Sequence, residues 1–141
     1  MPFYEIQHSL PLSFLQKAHL AKSITSLHSK TFNAPSLFVN IKFTDIKNES
    51  YFIGGQLRSD GNWIFAHVRS GRTRTVDVLA TLAKEVEGLW YEALGKGDMK
   101  RGEGDLSAVF IVPGLVAREK GVAIPEVCIV VFFGREKLIM I

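Results

Sequence analysis

The stretch SLFVNIKFTDI, residues 36–46, decides how the first half of this chain folds. Apolar residues occupy every second position, at Leu37, Val39, Ile41 and Phe43. Because successive side chains of a strand point to opposite faces of a sheet, this alternation predicts a half-buried strand. The connection to the rest of the fold depends on the residues before it.

A strand and a helix precede this stretch. The residues FYEIQ at 3–7 alternate between apolar and polar and predict a short strand. Ser13 is a candidate N-cap, and a helix is predicted at about 13–30. Its apolar face is formed by Phe14, Leu20, Ala21, Ile24, Leu27 and His28. Residues from about 2 to 47 therefore form one β-α-β unit.

The same order of elements follows a second time. WIFAHV, beginning at Trp63, predicts a strand, and apolar residues at helical spacing predict a helix from Thr75 that Gly95 closes. LSAVFIV then predicts a strand that Pro113 ends. This second β-α-β unit covers residues from about 61 to 113.

Two such units constrain the architecture of the whole domain. Each crossover helix makes the strands of its own unit parallel. We therefore predict one α/β (α+β) domain over residues 1–141, with a four-stranded sheet and both helices on one face. The other face keeps large apolar residues, so we expect a further subunit to cover it.

Three shorter segments complete the pattern. YFIGG at 51–55 predicts a brief strand that ends at a glycine turn, and LVAREKG at 115–121 predicts a short helix. The tail, residues 127–141, contains VCIVVFF, GREK and LIMI, which is atypically apolar. Two interpretations of the tail stay open: a β-hairpin at a subunit edge, or an extension unrelated to the domain.

Composition excludes several classes of function. The net charge is +3 and the pI is near 9.1, but lysine and arginine are scattered, so nucleic-acid binding is not expected. The single cysteine, Cys128, permits neither an intrachain disulfide nor a cysteine-rich zinc site. We predict no metal, no cofactor and no membrane span, and a cytoplasmic location.

Proline follows the initiator methionine directly. Removal of Met1 would give Pro2 a free secondary amine, which, unlike an amide, can take and give protons. An α-amino group has an ordinary pKa of about 8. Neighbouring arginines would lower that pKa and favour a general base, whereas a neighbouring carboxylate would favour a general acid.

Five segments together resemble one family. They are MPFYEIQ, AKSITSLHSK, YFIGG, IFAHVRSGRT and VAREKG, which span residues from about 2 to 126. In this order and spacing, the chain resembles the tautomerase superfamily, and within it the cis-3-chloroacrylic acid dehalogenase group. The resemblance implies doubled β-α-β units, a catalytic amino-terminal proline and a trimeric assembly.

The resemblance also implies a set of site residues. Pro2 matches the catalytic proline, His28 the histidine late in the first helix, and Glu119 the glutamate late in the chain. Arg69 and Arg72, in R-S-G-R, match the arginine pair that binds the substrate carboxylate. At such a site His28 could donate to the substrate carboxylate or orient a water, and Glu119 could hold the Pro2 amine protonated or activate a water.

One position departs from the family's pattern. Phe110 stands where the dehalogenase group has a tyrosine, so a hydroxyl donor is missing among the substrate-binding residues. This departure argues against efficient dehalogenation.

Taken without the resemblance, the same residues have structural interpretations. His28 fits a buried histidine with a satisfied hydrogen bond, and Glu119 fits a surface residue. Arg69, Arg72 and Arg74 fit a solvated loop.

Two functions follow. The first is a Pro2-dependent tautomerase or hydratase/dehalogenase that acts on a small unsaturated or keto carboxylic acid. The second is a non-catalytic oligomeric scaffold or binding protein with the same fold. Retention of Met1 would leave Pro2 as an amide and would favour the second.

Overall fold

The computed structural model describes residues 1–95, 102, 104–114, 117–119, 122–124, 130–133 and 137–140. Beyond residue 114 it describes the backbone of these segments and the side chain of Arg118. In chain order the elements are β1 (Phe3–His8), α1 (Phe14–Phe32), β2 (Asn40–Asp45), β3 (Tyr51–Ile53), β4 (Gln56–Arg58), β5 (Asn62–Arg69), α2 (Val76–Ala93), β6 (Ala108–Gly114), β7 (Ala117–Glu119), β8 (Val122–Ile124), β9 (Val130–Phe133) and β10 (Lys137–Met140).

Four of these strands form the main sheet, in the order β2-β1-β5-β6. The β1–β2 and β5–β6 pairs are parallel, and the central β1–β5 pair is antiparallel. Each parallel pair encloses one helix in sequence, as crossover connections require. The predicted doubled β-α-β architecture is confirmed.

Both helices begin at a residue whose side chain satisfies an otherwise unpaired backbone amide. Ser13 accepts a hydrogen bond from the Gln16 amide, and the Gln16 side chain accepts one from the Ser13 amide, which is a capping box. Thr75 accepts from the Val78 amide at the start of α2. Gly95, with φ +70°, follows the last turn of α2. The predicted helix ends are confirmed within two residues.

The core lies between the sheet and the two helices. The face of the sheet that the helices cover presents Tyr4, Ile6, Ile64 and Ala66, all fully buried. The helices contribute Leu20, Ile24, Leu82, Val86 and Trp90. The indole Nε1 of Trp90 donates to the Gly104 carbonyl at 2.9 Å, so its polar group is also satisfied.

Two residues predicted to face the core are exposed instead. Phe14, in the first turn of α1, is 81% exposed. Leu37 lies in a short 3-10 helix, Ser36–Phe38, before β2 begins, and is also exposed. The alternation therefore holds only from Val39 onward, where Ile41 and Phe43 pack against the core.

Two predictions near the carboxyl-terminal part of the sheet were wrong. Pro113 does not end its strand but belongs to β6, which lies at the sheet edge, where a missing amide donor is tolerated. The segment predicted as a helix at 115–121 contains β7, which pairs antiparallel with β8. So short a helix is marginal by itself, whereas the β-branched residues of β8 favour strand pairing.

Two hairpins lie outside the main sheet. β3 and β4 are joined by Gly54 and Gly55, both at positive φ, which is the backbone that a tight two-residue hairpin turn requires. Tyr51 of this hairpin packs on Trp63, with ring centroids 4.5 Å apart. In the tail, β9 pairs antiparallel with β10, which agrees with the hairpin interpretation; Cys128 lies outside the described residues.

The second face of the main sheet is not covered by a helix. Phe3, Phe110 and Val112 are exposed on it, and Phe110 stacks on Phe65 at 5.3 Å with an interplanar angle of 12°. None of the helices in the described residues combines the length and apolar character needed to cross a membrane.

Candidate active site

The amino terminus and the arginine-containing loop lie at the same end of the neighbouring strands β1 and β5. Phe3 pairs with His67 in the antiparallel β1–β5 ladder, so Pro2 lies at the edge where β5 ends in Arg69. Arg69 pairs in turn with Gly114, the last residue of β6. The Pro2 carbonyl accepts from the Asn40 amide at 3.1 Å, which fixes the start of β1 against β2.

The loop after β5 is held by hydrogen bonds at both of its ends. The Ser70 amide and hydroxyl each donate to the Gly114 carbonyl at 3.0 Å. The Arg74 amide donates to the Gly71 carbonyl at 3.0 Å, and the Arg74 side chain donates from Nη1 to the Arg69 carbonyl at 2.8 Å. A loop with this many internal bonds can hold its arginine side chains in defined directions.

Arg74 is half-buried beside the end of α1. Its guanidinium lies 4.5 Å from the ring centroid of Phe32, at the end of α1, whereas Arg72 is exposed. Burial, and then the positive charge of Arg69, lower the pKa of Arg74, while Tyr4 acts in the opposite direction. Among the described residues, no carboxylate forms an ion pair with any of these arginines.

A buried hydrogen bond joins β1 to α1 beneath this loop. The Tyr4 hydroxyl lies 2.7 Å from Nδ1 of His28, and both side chains are fully buried. The two rings meet edge to face at 5.7 Å, and His28 also contacts Phe32 at 4.7 Å. Nε2 of His28 has no hydrogen-bond partner among the described residues.

The surroundings keep both partners of this bond uncharged. Burial, then Arg74, then the amino terminus lower the pKa of His28 to about 4. Burial raises the pKa of Tyr4, with Arg74 opposing it. At neutral pH, His28 is therefore a neutral imidazole.

The structure brings some of the predicted site residues together and separates one of them. Pro2 and Arg69 lie at the same end of strands β1 and β5, Arg72 follows on the loop, and His28 contacts Tyr4 of β1. Phe110 lies elsewhere, on the uncovered face of the sheet and 48% exposed. Within one chain it does not join the cluster around Tyr4 and His28.

Glu119 and Pro2 are two further predicted catalytic residues. The backbone of Glu119 lies in β7, the next strand in the chain after β6. The side chain of Glu119 is outside the described residues. Pro2 directly follows Met1, so its nitrogen becomes a free amine only once Met1 is removed. The burial of His28 matches the structural interpretation of that residue; its catalytic role stays a prediction.

Sequence reasoning missed two members of the cluster, Tyr4 and Arg74. Tyr4 reads as an ordinary core position of β1, and only the fold shows that it meets His28. Arg74 was grouped with solvated loop residues.

The described part of the chain offers no set of three histidine, cysteine or carboxylate side chains that could hold a metal ion.

Comparison with known proteins relates this chain to one family. A model of the Tautomerase_3 family, described as "Putative oxalocrotonate tautomerase enzyme", matches residues 1–127. A comparison with curated protein sequences finds no match.

Solved structures agree with the family match. N1, a member of the cis-3-chloroacrylic acid dehalogenase family, has 25% identity and a TM-score of 0.67, with 88% of this chain and 84% of that chain covered. Pt0534 inactivated by 2-oxo-3-pentynoate has 16% identity and a TM-score of 0.65, with 86% and 95% covered. A fused 4-OT that forms a symmetric trimer has 16% identity and a TM-score of 0.57, with 79% and 83% covered. The last two similarities concern the fold alone.

Proposed function

Because the chain belongs to the Tautomerase_3 family, we propose that it is an enzyme in which the amine of Pro2 moves a proton on a small unsaturated or keto carboxylic acid. The observation that carries this proposal is the arrangement at one sheet edge: Arg69, Arg72 and Arg74 lie on the loop beside the amino terminus, and no carboxylate pairs with them among the described residues. A loop that carries three arginines fits an anionic substrate.

The proposed chemistry begins with removal of Met1, which converts the Pro2 nitrogen from an amide to a secondary amine. The neutral amine takes a proton from the carbon next to the substrate carbonyl and returns it to another atom of the same conjugated system, so no co-reactant is needed. Arg69 and Arg72 bind the substrate carboxylate through their guanidinium groups. The same positive charges stabilise the enolate as it forms.

Addition of water is the other branch of this proposal. There, Glu119 activates water and Pro2, held protonated, donates a proton to the substrate carbon. Phe110 offers no hydroxyl to assist, and for that reason we place tautomerisation first. In either branch, His28 is a neutral imidazole that lies under the loop. Kinetic measurements on His28→Asn test whether His28 acts directly on the reacting water.

We also propose that the protein assembles as a homo-oligomer, with a trimer as the first candidate. The uncovered sheet face carries exposed Phe3, Phe110 and Val112, which a second copy would remove from water. The structurally similar fused 4-OT is a trimer. A non-catalytic scaffold is the alternative, and this apolar face is the observation that favours it. A cytoplasmic location stays a prediction that cell fractionation would test.

The test of function uses a keto–enol substrate and an amine-directed reagent. We expect ketonisation of a small enol carboxylic acid by the protein with Pro2 as its first residue, and its loss in Pro2→Ala and in a form that retains Met1. We also expect 2-oxo-3-pentynoate, an electrophilic carboxylic acid, to modify Pro2. A protein with neither turnover nor modification, yet with unchanged assembly in Pro2→Ala, would establish the scaffold instead.

A further inference from the structure

We infer that Arg74 is a positioning residue that fixes the loop carrying Arg69 and Arg72, and thereby directs their side chains toward the substrate carboxylate. This inference rests on the proposed function for the identity of the ligand. The contacts of Arg74 are internal ones, to the Arg69 carbonyl at 2.8 Å and to the Phe32 ring at 4.5 Å. The role is therefore different from that of an arginine that binds substrate directly.

The Arg74 side chain connects the two ends of the loop, at residues 69 and 74. Its Nη1 donates to the residue at which β5 ends, while its own backbone amide donates to Gly71 inside the same loop. The side chain thus closes a ring around residues 69–74. Without it, the loop would keep its Ser70 bonds to Gly114 and the Arg74 amide bond to Gly71, and would lose the bond that ties residue 74 to the Arg69 carbonyl.

The contacts at position 74 suit an arginine and not a lysine. A planar guanidinium can lie on an aromatic ring and donate in its own plane at the same time. Arg74 uses Phe32 as the platform and the Arg69 carbonyl as the acceptor. A lysine keeps the charge, but its compact ammonium cannot make both contacts in this geometry. Arg74→Lys therefore separates positioning from charge.

The positive charges of Arg69 and Arg74 lie close enough to act on each other. Burial, and then the nearby positive charge of Arg69, lower the pKa of Arg74. Such repulsion is tolerated when hydrogen bonds fix the geometry, and an anionic ligand bound to Arg69 would reduce it. The loop is thus prepared to bind a carboxylate before the substrate arrives.

The experiment compares two reagents on the protein whose first residue is Pro2. One is 2-oxo-3-pentynoate, and the other is 3-pentyn-2-one, a similar electrophile without a carboxylate. We expect Arg74→Lys to slow modification of Pro2 by the acid roughly tenfold, because displaced arginines bind the carboxylate poorly. Modification by the neutral reagent should change less than about twofold, since the amine itself is untouched. Arg58→Lys, at an exposed position of β4, is the matched control and should change neither rate.

Hydrogen exchange of the loop provides a second readout that needs no reaction. In Arg74→Lys, the amides of Ser70 and of residue 74 should exchange faster, while amides in the middle of α2 stay as protected as in the wild type. Phe32→Leu removes the platform and keeps the arginine, so it should shift both readouts in the same direction by less. This second variant covers the case in which Arg74→Lys folds poorly.

The outcomes separate this inference from the proposed function. Equal slowing with both reagents would mean a general loss of structure and would overturn positioning. Slower modification by the acid with unchanged loop exchange would make Arg74 a direct ligand and would also overturn it. If Pro2 of the wild type reacts with neither reagent, the proposed function fails, and loop exchange alone then decides whether Arg74 fixes the loop.

Discussion

The buried pair of His28 and Tyr4 makes protein stability depend on pH in a calculable way. The pKa of His28 is lowered from 6.5 to about 4 in the folded protein. In the unfolded chain, His28 takes up a proton as the pH falls below 6.5, whereas in the folded protein it stays neutral until about 4. Its contribution to stability is therefore complete above 6.5 and is lost progressively as the pH falls toward 4.

The size of the effect follows from that window. One pH unit corresponds to about 1.4 kcal/mol for one proton. Between about pH 7.5 and about pH 5, unfolding takes up this proton over roughly 1.5 units, which costs the folded state about 2 kcal/mol. His28→Asn keeps a polar group near the position of Nδ1, within reach of Tyr4, and does not titrate. We expect the unfolding free energy of the wild type to fall by about 2 kcal/mol more than that of His28→Asn over this range.

Urea denaturation followed by tryptophan fluorescence measures this difference at each pH. The protein concentration must be the same throughout, because assembly would couple to stability. His19→Asn, at an exposed position of the same helix, controls for the removal of a histidine. If wild type and His28→Asn lose stability in parallel, His28 takes up protons equally in both states, and the buried, cation-facing site described above is refuted.

Three further predictions concern stability and assembly. Tyr4→Phe leaves Nδ1 of His28 buried without its partner, so it should lower the unfolding free energy by about 1–3 kcal/mol in urea titrations, and an unchanged midpoint would contradict the pairing. Gly61→Ala places a methyl group on the Trp63 indole at a φ of +150°, so a loss of about 1–3 kcal/mol is expected by thermal denaturation, and full stability would show that the indole packs elsewhere. Phe110→Glu puts a charge on the uncovered sheet face and should lower the mass measured by sedimentation velocity; the wild-type mass in this variant would place the interface on another surface.

The helices and the main strands could be predicted because their signals are local. Ser13 and Thr75 mark helix starts through bonds to amides within the next three residues. The alternation in β2 reflects one covered and one uncovered face. These features need no knowledge of distant residues, so the doubled β-α-β order followed from the sequence.

Other features depend on which elements become neighbours. Pro113 is compatible with a strand only because β6 lies at the edge, a fact of sheet order that no local pattern contains. Arg74 is a half-buried, anchored residue only because the end of α1 brings Phe32 to the loop. The uncovered position of Phe110 similarly depends on the pairing of β6 with β5. The resemblance to the family could name candidate site residues, but not this division between them.

The most direct test of the central claim is mass spectrometry of the amino-terminal peptide, from protein produced in its native source and treated with 2-oxo-3-pentynoate. The account predicts that Met1 is absent and that the adduct is on Pro2, whose nitrogen can react only as a free amine. A peptide that still carries Met1, or a processed one whose Pro2 stays unmodified under excess reagent, would contradict proton transfer by Pro2.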